Sequence, residues 1–166
     1  VKRAPSASVE LHVADHRVVP SSTISAWVRV VGVAGQPLAG APVVVALTGD
    51  LGAGKTTLVG GLLRALGHSG PARSPTYTLI EPYQLGGRDV NHCDLYRLRD
   101  PSELDDLGLR DLLTPRSVLL VEWPERAGDR LGKTDLLLKI EYAPPGRAIE
   151  VKASSEAGRQ VLAALR

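Results

Sequence analysis

The chain has 166 residues, of which 43% are hydrophobic and 23% charged, an ordinary composition for a globular protein that buries its own core. Twenty basic and 18 acidic residues leave a formal net charge of +2, which by itself does not require a nucleic-acid or membrane partner. A single cysteine, Cys93, excludes an internal disulfide and a cysteine-rich metal site, and no apolar run reaches the length of a membrane helix. We therefore expect a cytoplasmic protein with one domain over residues 1–166, in which residues 1–8 are a flexible lead or a translation-start artefact.

The segment before residue 43 carries only short structural patterns. Residues 9–13 alternate apolar and polar side chains, which predicts a short strand. For residues 21–33 we favour a helix that begins in a run of hydroxyl side chains, although the β-branched residues around Trp27 are also compatible with a strand. The glycines and prolines of residues 35–42 indicate a connection.

A buried strand, a glycine-rich loop and a helix follow in direct succession. Residues 43–47 form a continuous apolar run, which is typical of a buried parallel strand. Residues 56–66 predict a helix that Gly67 ends, with one side formed by Leu58, Leu62, Leu63 and Leu66. This order of elements is the structural context that a phosphate-binding P-loop requires.

The rest of the chain completes an α/β pattern. Residues 76–84 and 88–96 predict two strands of a hairpin that turns at Gly86 and Gly87. The same rules predict strands at 117–122, 136–142 and 148–151. They also predict a short helical stretch that opens at 101–103, a second turn near 109–113, and a last helix that Ser154 or Ser155 caps and that runs to Leu165. Together these elements predict a P-loop NTPase fold with a mixed, mainly parallel central sheet flanked by helices.

The loop after the first buried strand matches the pattern G-x-x-x-x-G-K-[ST] through Gly49, Gly54, Lys55 and Thr56. Its glycines allow backbone N–H groups to point at phosphate oxygens, and the following helix adds the positive end of its dipole. Lys55 is expected to reach the β and γ phosphates of MgATP, and the Thr56 hydroxyl to hold Mg²⁺. The predicted nucleotide-binding residues of this region are Gly49, Asp50, Leu51, Gly52, Ala53, Gly54, Lys55, Thr56 and Thr57.

Two acids are candidates for a second magnesium anchor. Glu122 ends an apolar strand, and ligands of open α/β sheets bind at the carboxyl edge of the strands. Asp94 ends the second strand of the hairpin and shares a face with His92 by alternation. Each acid is alternatively a solvated carboxylate at a strand end. The candidates for catalytic residues are Lys55, Asp94 and Glu122, and the candidates for the metal site are Thr56, Glu122 and Asp94.

Three neighbouring residues are open to two interpretations. His92 is more often a hydrogen-bonded structural residue than a base, and Cys93 is predicted to be a packing residue. Trp123 suits the core, but it also stands where a mobile loop near the nucleotide is expected to begin, so it is included among the nucleotide-binding residues. Thr76 is included as a sensor of the γ-phosphate, the alternative being that the Ser-Pro pair before it is a simple turn.

Five motifs in fixed order make the chain resemble the bacterial TsaE (YjeE) family over residues 43–160. They are GDLGAGKTT at 49–57, SPTYTL at 74–79, HCDLYRL at 92–98, ELDDLGLRD at 103–111 and VEWPER at 121–126. The resemblance implies a Mg²⁺-dependent ATPase that supports formation of threonylcarbamoyladenosine in tRNA and acts with the TsaB–TsaD complex. It implies that tRNA is contacted only indirectly or as part of that complex, and that no membrane is involved.

The resemblance also carries residue roles. It makes Thr56 and Glu122 magnesium-site residues and Asp94 a functional acid, and it implies switch segments at 74–76 and 122–125. The family carries a threonine-containing helix before its P-loop strand, whereas here Pro37 and Pro42 interrupt that region. The residues that contact adenine, sought near 20–42, are therefore left open.

Three other functions remain as alternatives. A small-molecule P-loop kinase would require an acceptor pocket and an arginine-bearing lid, for which Arg126 and Arg130 are candidates. A GTPase would require a guanine-reading Asn-Lys-x-Asp segment, and the nearest match, at 132–135, lacks the Asn. A nucleotide-gated scaffold would bind ATP with little hydrolysis.

Overall fold

The computed structural model describes residues 16–18, 41–72, 75, 78–143 and 146–163. The strands within these ranges are β1 (His16–Val18), β2 (Val43–Thr48), β3 (Ile80–Leu85), β4 (Arg88–Asp94), β5 (Ser117–Glu122), β6 (Leu136–Ala143) and β7 (Gly146–Ala153). In this described part of the chain they form one seven-stranded sheet in the order β1-β7-β6-β2-β5-β4-β3.

The centre of the sheet is parallel and its margins are antiparallel. β2 pairs in parallel with β5 and with β6, and β5 pairs in parallel with β4. Antiparallel pairs add β3 at one edge, and β7 and then β1 at the other. The predicted fold class, a mixed and mainly parallel sheet flanked by helices, is therefore confirmed.

Helices cover both faces of the sheet. The α-helices among the described residues are α1 (Lys55–Ala65), α2 (Glu103–Asp106) and α3 (Glu156–Ala163), and 3₁₀ segments run over Leu109–Leu112 and Pro124–Leu131. The longer 3₁₀ segment is interrupted at Gly128, which has a non-helical backbone conformation. No helix in these ranges is long and apolar enough to cross a membrane.

Two hydrophobic clusters explain why the sequences of the central strands are unbroken apolar runs. On one face, Leu58, Leu62 and Leu63 of α1 pack against alternate residues of β2 and β5. On the other face, Val44 of β2 and Leu119 and Val121 of β5 pack against Leu104 of α2 and the two 3₁₀ segments. Because both faces are covered, every residue of β5 is buried, as expected for a central parallel strand.

The N-terminus of α3 is fixed to the sheet by Asp135. Its carboxylate accepts hydrogen bonds from the Val44 amide at 2.8 Å and from the Ser155 hydroxyl at 2.5 Å. The Ser155 oxygen in turn accepts the Gly158 amide at 3.0 Å, which identifies Ser155 as the N-cap. Of the two serines predicted as caps, the structure therefore selects Ser155.

Several predicted boundaries were wrong at the ends of elements. β3 begins at Ile80 instead of 76, because Thr78 and Leu79 form a turn in which Leu79 has a positive φ of 59°. β4 ends at Asp94, because the Tyr96 amide then bonds to the Asp94 side chain and the Leu98 amide to the Leu95 carbonyl, which turns the chain away from the sheet. β7 starts earlier than predicted, at Gly146, which pairs with Ala143 of β6.

Three predicted segments lie outside the described residues, and one observed strand was not predicted. The strand expected at 9–13, the helix expected at 21–33 and the lead at 1–8 lie outside the described ranges. β1 was not predicted, because its three residues are extended through pairing with β7 rather than through a pattern of their own. The chain from 43 to 122 otherwise follows the predicted order of elements.

Candidate functional site

The loop between β2 and α1 is shaped by glycines. Gly49 has a φ of 139°, and a Cβ at this position would lie 2.3 Å from the carbonyl oxygen of Ile140 on β6. Only glycine allows the loop to pass this close to the neighbouring strand. Gly54 precedes α1 with a φ of 108° and supplies no capping side chain. The first amides of α1 are therefore available to an anion, as they are at helix termini that bind phosphate.

Lys55 folds back over this loop. Its Nζ donates hydrogen bonds to the carbonyl oxygens of Gly49 at 2.5 Å and Asp50 at 2.9 Å, and it lies 3.8 Å from the centroid of the Trp123 ring. The side chain is only 5% exposed. Burial lowers the pKa of the Lys55 ammonium, and the nearby carboxylates, of which Glu122 acts most strongly, oppose that shift. The lysine is thus a nearly buried cation that binds acceptor oxygens.

A chain of hydrogen bonds joins α1, β5 and β4 beneath the loop. The Thr56 hydroxyl donates to Glu122 Oε2 at 3.0 Å, and His92 Nε2 lies 2.8 Å from Glu122 Oε1. Glu122 is 2% exposed and His92 is fully buried. Both oxygens of the carboxylate are therefore engaged, which is the condition for keeping a charged group out of water.

A cleft of about 350 Å³ opens above this chain of contacts. Its lining includes Lys55, Thr56, Asp94 and Glu122, together with the aromatic residue Trp123. Asp94 lies beside Glu122 because the two residues are partners in the parallel register of β4 and β5. Its Oδ1 accepts the amide of Tyr96 at 3.1 Å, and this bond fixes the turn that leads away from the strand.

Two aromatic rings at the cleft lie between two cationic side chains. The rings of Tyr96 and Trp123 have centroids 5.0 Å apart. Lys55 lies over Trp123, and the Arg126 guanidinium lies 5.4 Å from the centroid of the Tyr96 ring. Trp123 has a φ of 58°, which is unusual for a residue other than glycine. The peptide leaves β5 here in a strained turn at the border of the cleft.

A second cleft of about 630 Å³ lies on the other side of the loop. It is lined by the loop itself and by β6 and β7 residues that include Tyr142 and Arg147. Arg147 Nε donates to the Ala53 carbonyl at 2.9 Å, and its guanidinium lies 4.2 Å from the centroid of the Tyr142 ring. The Tyr142 side chain is 71% exposed, so an aromatic surface stands open beside the phosphate loop.

The structure brings together most of the residues that the sequence predicted. Those that line the first cleft are Leu51, Gly52, Gly54, Lys55, Thr56, Thr57, Asp94, Glu122 and Trp123, and those that line the second are Gly49, Asp50, Leu51, Gly52 and Ala53. Thr76 and the segment 20–40 lie outside the described residues. Cys93, predicted to pack, is fully buried, and burial raises the pKa of its thiol to about 12.

Sequence reasoning missed four residues around the clefts. Tyr96 and Arg97 line the first cleft; both stood within the HCDLYRL motif without an assigned role. Tyr142 and Arg147 line the second cleft, and no pattern marked them, because they reach the loop from a distant hairpin. For His92 the sequence favoured a structural role over a functional one. Its contact with Glu122 could not be predicted, because it depends on the register of β4 and β5.

The oxygen donors of the first cleft fit Mg²⁺. Among the described residues, no group of three or more His, Cys, Asp or Glu side chains is arranged to hold a metal alone. The Thr56 hydroxyl and the Glu122 carboxylate instead offer two hard oxygen ligands 3.0 Å apart. Mg²⁺ commonly takes one or two protein oxygens and completes its shell with phosphates and waters. The donor set therefore suits a metal that arrives with a nucleotide.

Comparison with known proteins gives consistent matches. The model of the family described as "Threonylcarbamoyl adenosine biosynthesis protein TsaE" matches residues 25–149. The Haemophilus influenzae tRNA threonylcarbamoyladenosine biosynthesis protein TsaE is 45% identical over 122 residues, 74% of this chain and 77% of that protein. The Bacillus subtilis protein of the same name is 41% identical over 100 residues, 60% of this chain and 62% of that protein.

A solved structure agrees with these matches. The crystal structure of Bacillus subtilis YdiB superposes with a TM-score of 0.64 at 26% identity, and the alignment covers 90% of each chain. In sequence, the chain spans less than two thirds of the Bacillus relative and about three quarters of the Haemophilus one.

Proposed function

The chain belongs to the TsaE family, and on that premise we propose that it is a Mg²⁺-dependent ATPase required for formation of threonylcarbamoyladenosine in tRNA. The observation that carries the proposal is the contact between Thr56 at the start of α1 and Glu122 at the end of β5. This contact joins the phosphate loop to an acid at the carboxyl edge of the sheet, the arrangement that MgATP hydrolysis requires.

The phosphates of ATP would lie along residues 49–56. Backbone amides of the loop and of the first turn of α1 supply the donors. Lys55 would exchange its bonds to the Gly49 and Asp50 carbonyls for bonds to phosphate oxygens. Because the ammonium is nearly buried, its attraction for the developing negative charge is screened less than it would be in water.

The metal end of the site would involve Thr56, Glu122 and Asp94. When bound, Mg²⁺ neutralises charge on the β and γ phosphates. Thr56 and Glu122 would hold the ion or its water ligands, and Asp94, on the same face of the sheet, would orient the attacking water. We assign Thr76, from the sequence, as a contact to the γ-phosphate, and Trp123 as a residue that borders it.

The nucleoside would extend into the second cleft. Tyr142 presents a largely exposed ring there, and Arg147 links that ring to the loop through its bond to Ala53. An aromatic face beside a fixed guanidinium suits stacking of a purine base. This assignment supplies a nucleoside contact that the sequence pattern near 20–42 did not.

The biological role rests on the family. The relatives from Haemophilus and Bacillus are named as tRNA threonylcarbamoyladenosine biosynthesis proteins, and we carry that pathway over to this chain. We further propose that it acts with the TsaB–TsaD complex, and that tRNA is contacted only indirectly or as part of that complex. The small net charge of +2 is consistent with a chain that does not bind nucleic acid strongly on its own.

A depletion-and-rescue experiment tests the proposal. Cells depleted of the protein are complemented with the wild type or with Lys55→Ala, and threonylcarbamoyladenosine in tRNA is quantified. We expect the wild type to restore the modification and the variant not to. Restoration by Lys55→Ala would refute a role for ATP at this loop.

A second experiment separates hydrolysis from its alternatives. Release of phosphate from ATP is measured without an acceptor, first for the protein alone and then with TsaB–TsaD added. We expect slow release that the partners accelerate. Phosphate transfer only to an added acceptor would indicate a kinase, and binding without release in both conditions would indicate a nucleotide-gated scaffold.

A further inference from the structure

His92 is a polar side chain at a buried position of β4. It is fully buried, on the face of the sheet that α1 covers, with Val90 and Asp94 on either side in the alternation of β4. A polar ring in such surroundings costs free energy unless it is hydrogen-bonded. Its Nε2 meets Glu122 Oε1 at 2.8 Å, so the ring is oriented towards the proposed metal site.

The contact determines where the imidazole carries its proton. A carboxylate accepts hydrogen bonds and donates none, so the hydrogen of this contact belongs to Nε2. Among the described residues, nothing forms a hydrogen bond with Nδ1. A hydrogen on Nδ1 would therefore be a buried donor without a partner, which is more costly than a bare lone pair. His92 thus donates to Glu122 through Nε2.

Glu122 needs such a donor to have a fixed orientation. The terminal torsion of a glutamate side chain has a broad energy profile, so one hydrogen bond alone leaves the plane of the carboxylate loosely defined. With His92 on Oε1 and Thr56 on Oε2, both oxygens are held, and Oε2 is kept beside the Thr56 hydroxyl. Partners of this kind orient metal ligands in many proteins, and their loss costs about 10–100-fold in metal affinity.

We propose that His92 is a positioning residue that holds Glu122 in the orientation needed to bind Mg²⁺ together with a nucleotide. The inference rests on the proposed function, since the orientation matters only if MgATP binds at Thr56 and Glu122. His92 itself touches neither the nucleotide nor the metal in this role. It acts through the carboxylate that it fixes.

The test compares two substitutions that differ in one donor. The amide nitrogen of Gln is as many bonds from Cα as Nε2 of His, so His92→Gln keeps a donor for Glu122. His92→Leu fills a similar volume without a donor. Binding of a non-hydrolysable ATP analogue is measured by calorimetry with Mg²⁺ and with EDTA, at a temperature where circular dichroism shows each variant to be folded.

The expected result is a selective loss of the magnesium effect. His92→Leu should bind the analogue about 10–100-fold more weakly than wild type in Mg²⁺, but within about twofold of wild type in EDTA, where only the phosphate loop contributes. His92→Gln should recover most of the affinity in Mg²⁺. Equal affinity of His92→Leu and wild type in Mg²⁺, or an equal loss in Mg²⁺ and EDTA, would overturn the proposal.

Two further variants keep the test decisive. If His92→Leu does not fold, His92→Asn replaces it, because its amide nitrogen corresponds to Nδ1 and falls short of Glu122; the same losses are expected. Lys55→Ala reports on the proposed function separately. If Lys55→Ala loses affinity in both conditions while His92→Leu matches wild type, the inference about His92 alone fails. If wild type gains nothing from Mg²⁺, both fail.

Discussion

Replacing Glu122 by Gln removes the charge of the proposed magnesium ligand while keeping its shape. The amide oxygen can accept from His92 and the amide nitrogen can donate to the Thr56 oxygen. A hydrogen bond to each of the two partners of the carboxylate therefore remains possible. Hydrogen bonds to charged groups contribute about 1.5–3 kcal/mol and neutral ones about 0.5–1.5 kcal/mol. The exchange therefore weakens each bond by about 1 kcal/mol.

Burial of a neutral group offsets this loss. An amide is cheaper to remove from water than a carboxylate, so we expect the free energy of unfolding to change by about 1 kcal/mol and the melting temperature by about 2–4 °C. Affinity for MgATP should fall by about 10–100-fold, the size of loss that follows when a residue supporting a metal ligand is removed. Affinity for ATP in EDTA should stay the same or rise, because a negative charge near the phosphates is gone.

The assay measures binding of a non-hydrolysable ATP analogue by calorimetry, with and without Mg²⁺, alongside thermal unfolding. Glu156→Gln is the matched control, since Glu156 lies at the start of α3, pairs with Arg159 and carries the same charge. It should bind the analogue as wild type does. If Glu122→Gln shows the full wild-type gain in affinity on addition of Mg²⁺, Glu122 is not part of a metal site.

An alanine at this position would be a poorer test than glutamine. Glu122→Ala leaves the His92 N–H and the Thr56 hydroxyl without their acceptor, and each unsatisfied buried group costs about 1–3 kcal/mol. Their sum, about 2–6 kcal/mol, is a large part of the total stability of a domain, about 5–15 kcal/mol. Because Glu122 is almost completely buried, a loss of hydrolysis in the alanine variant would not distinguish a lost metal ligand from a destabilised fold.

Three further predictions follow from single contacts. Lys55→Ala should weaken binding of the ATP analogue about 10–150-fold both in Mg²⁺ and in EDTA, since charged hydrogen bonds to phosphate are lost; calorimetry measures this. Cys93 should resist a thiol reagent at pH 8 in the folded protein, because the residue is fully buried with a pKa of about 12, and should react once denaturant unfolds the chain. Gly158→Ala should lower the melting temperature by about 4–8 °C, a loss of about 2 kcal/mol, because its Cβ would lie 2.0 Å from the Asp135 carbonyl oxygen.

Each of these has a contrary outcome. Wild-type affinity of Lys55→Ala would exclude the loop lysine from phosphate binding. Rapid labelling of Cys93 without denaturant would mean that β4 opens easily. An unchanged melting temperature in Gly158→Ala would mean that α3 can move away from Asp135 without cost, since the gain in helix propensity is only about 1 kcal/mol.

The sequence predicted well those parts of the fold that depend on neighbouring residues. The strand, loop and helix over 43–66 are encoded by an apolar run, by glycines at fixed spacing and by leucines at helical spacing, all within one segment. The hairpin at Gly86 and Gly87 is equally local. Errors occurred at the ends of elements, as after Asp94, where the Tyr96 amide bonds to the Asp94 side chain and not to a neighbouring strand.

Contacts across the sheet could not be read from the sequence in the same way. Arg147 reaches the loop carbonyl of Ala53 over 94 positions in the chain, and β1 is extended only through its pairing with β7. The contact between His92 and Glu122 spans 30 positions. Each depends on which strands are adjacent and on how far one is offset along the other, whereas the periodicity within a single segment specifies only the face on which a residue lies.

The register of β4 against β5 is the element of the fold on which the candidate site depends most. Asp94 pairs with Glu122, and His92 pairs with Leu120 one step earlier on the same face. A shift by one residue would turn His92 and Asp94 to the opposite face of the sheet, away from Thr56. The same shift would expose Cys93 to the α1 side and move Val90 out of its cluster, so the apolar alternation that stabilises β4 also selects the register of the site. Packing of the core and assembly of the polar site are therefore determined by the same alternation of residues along one strand.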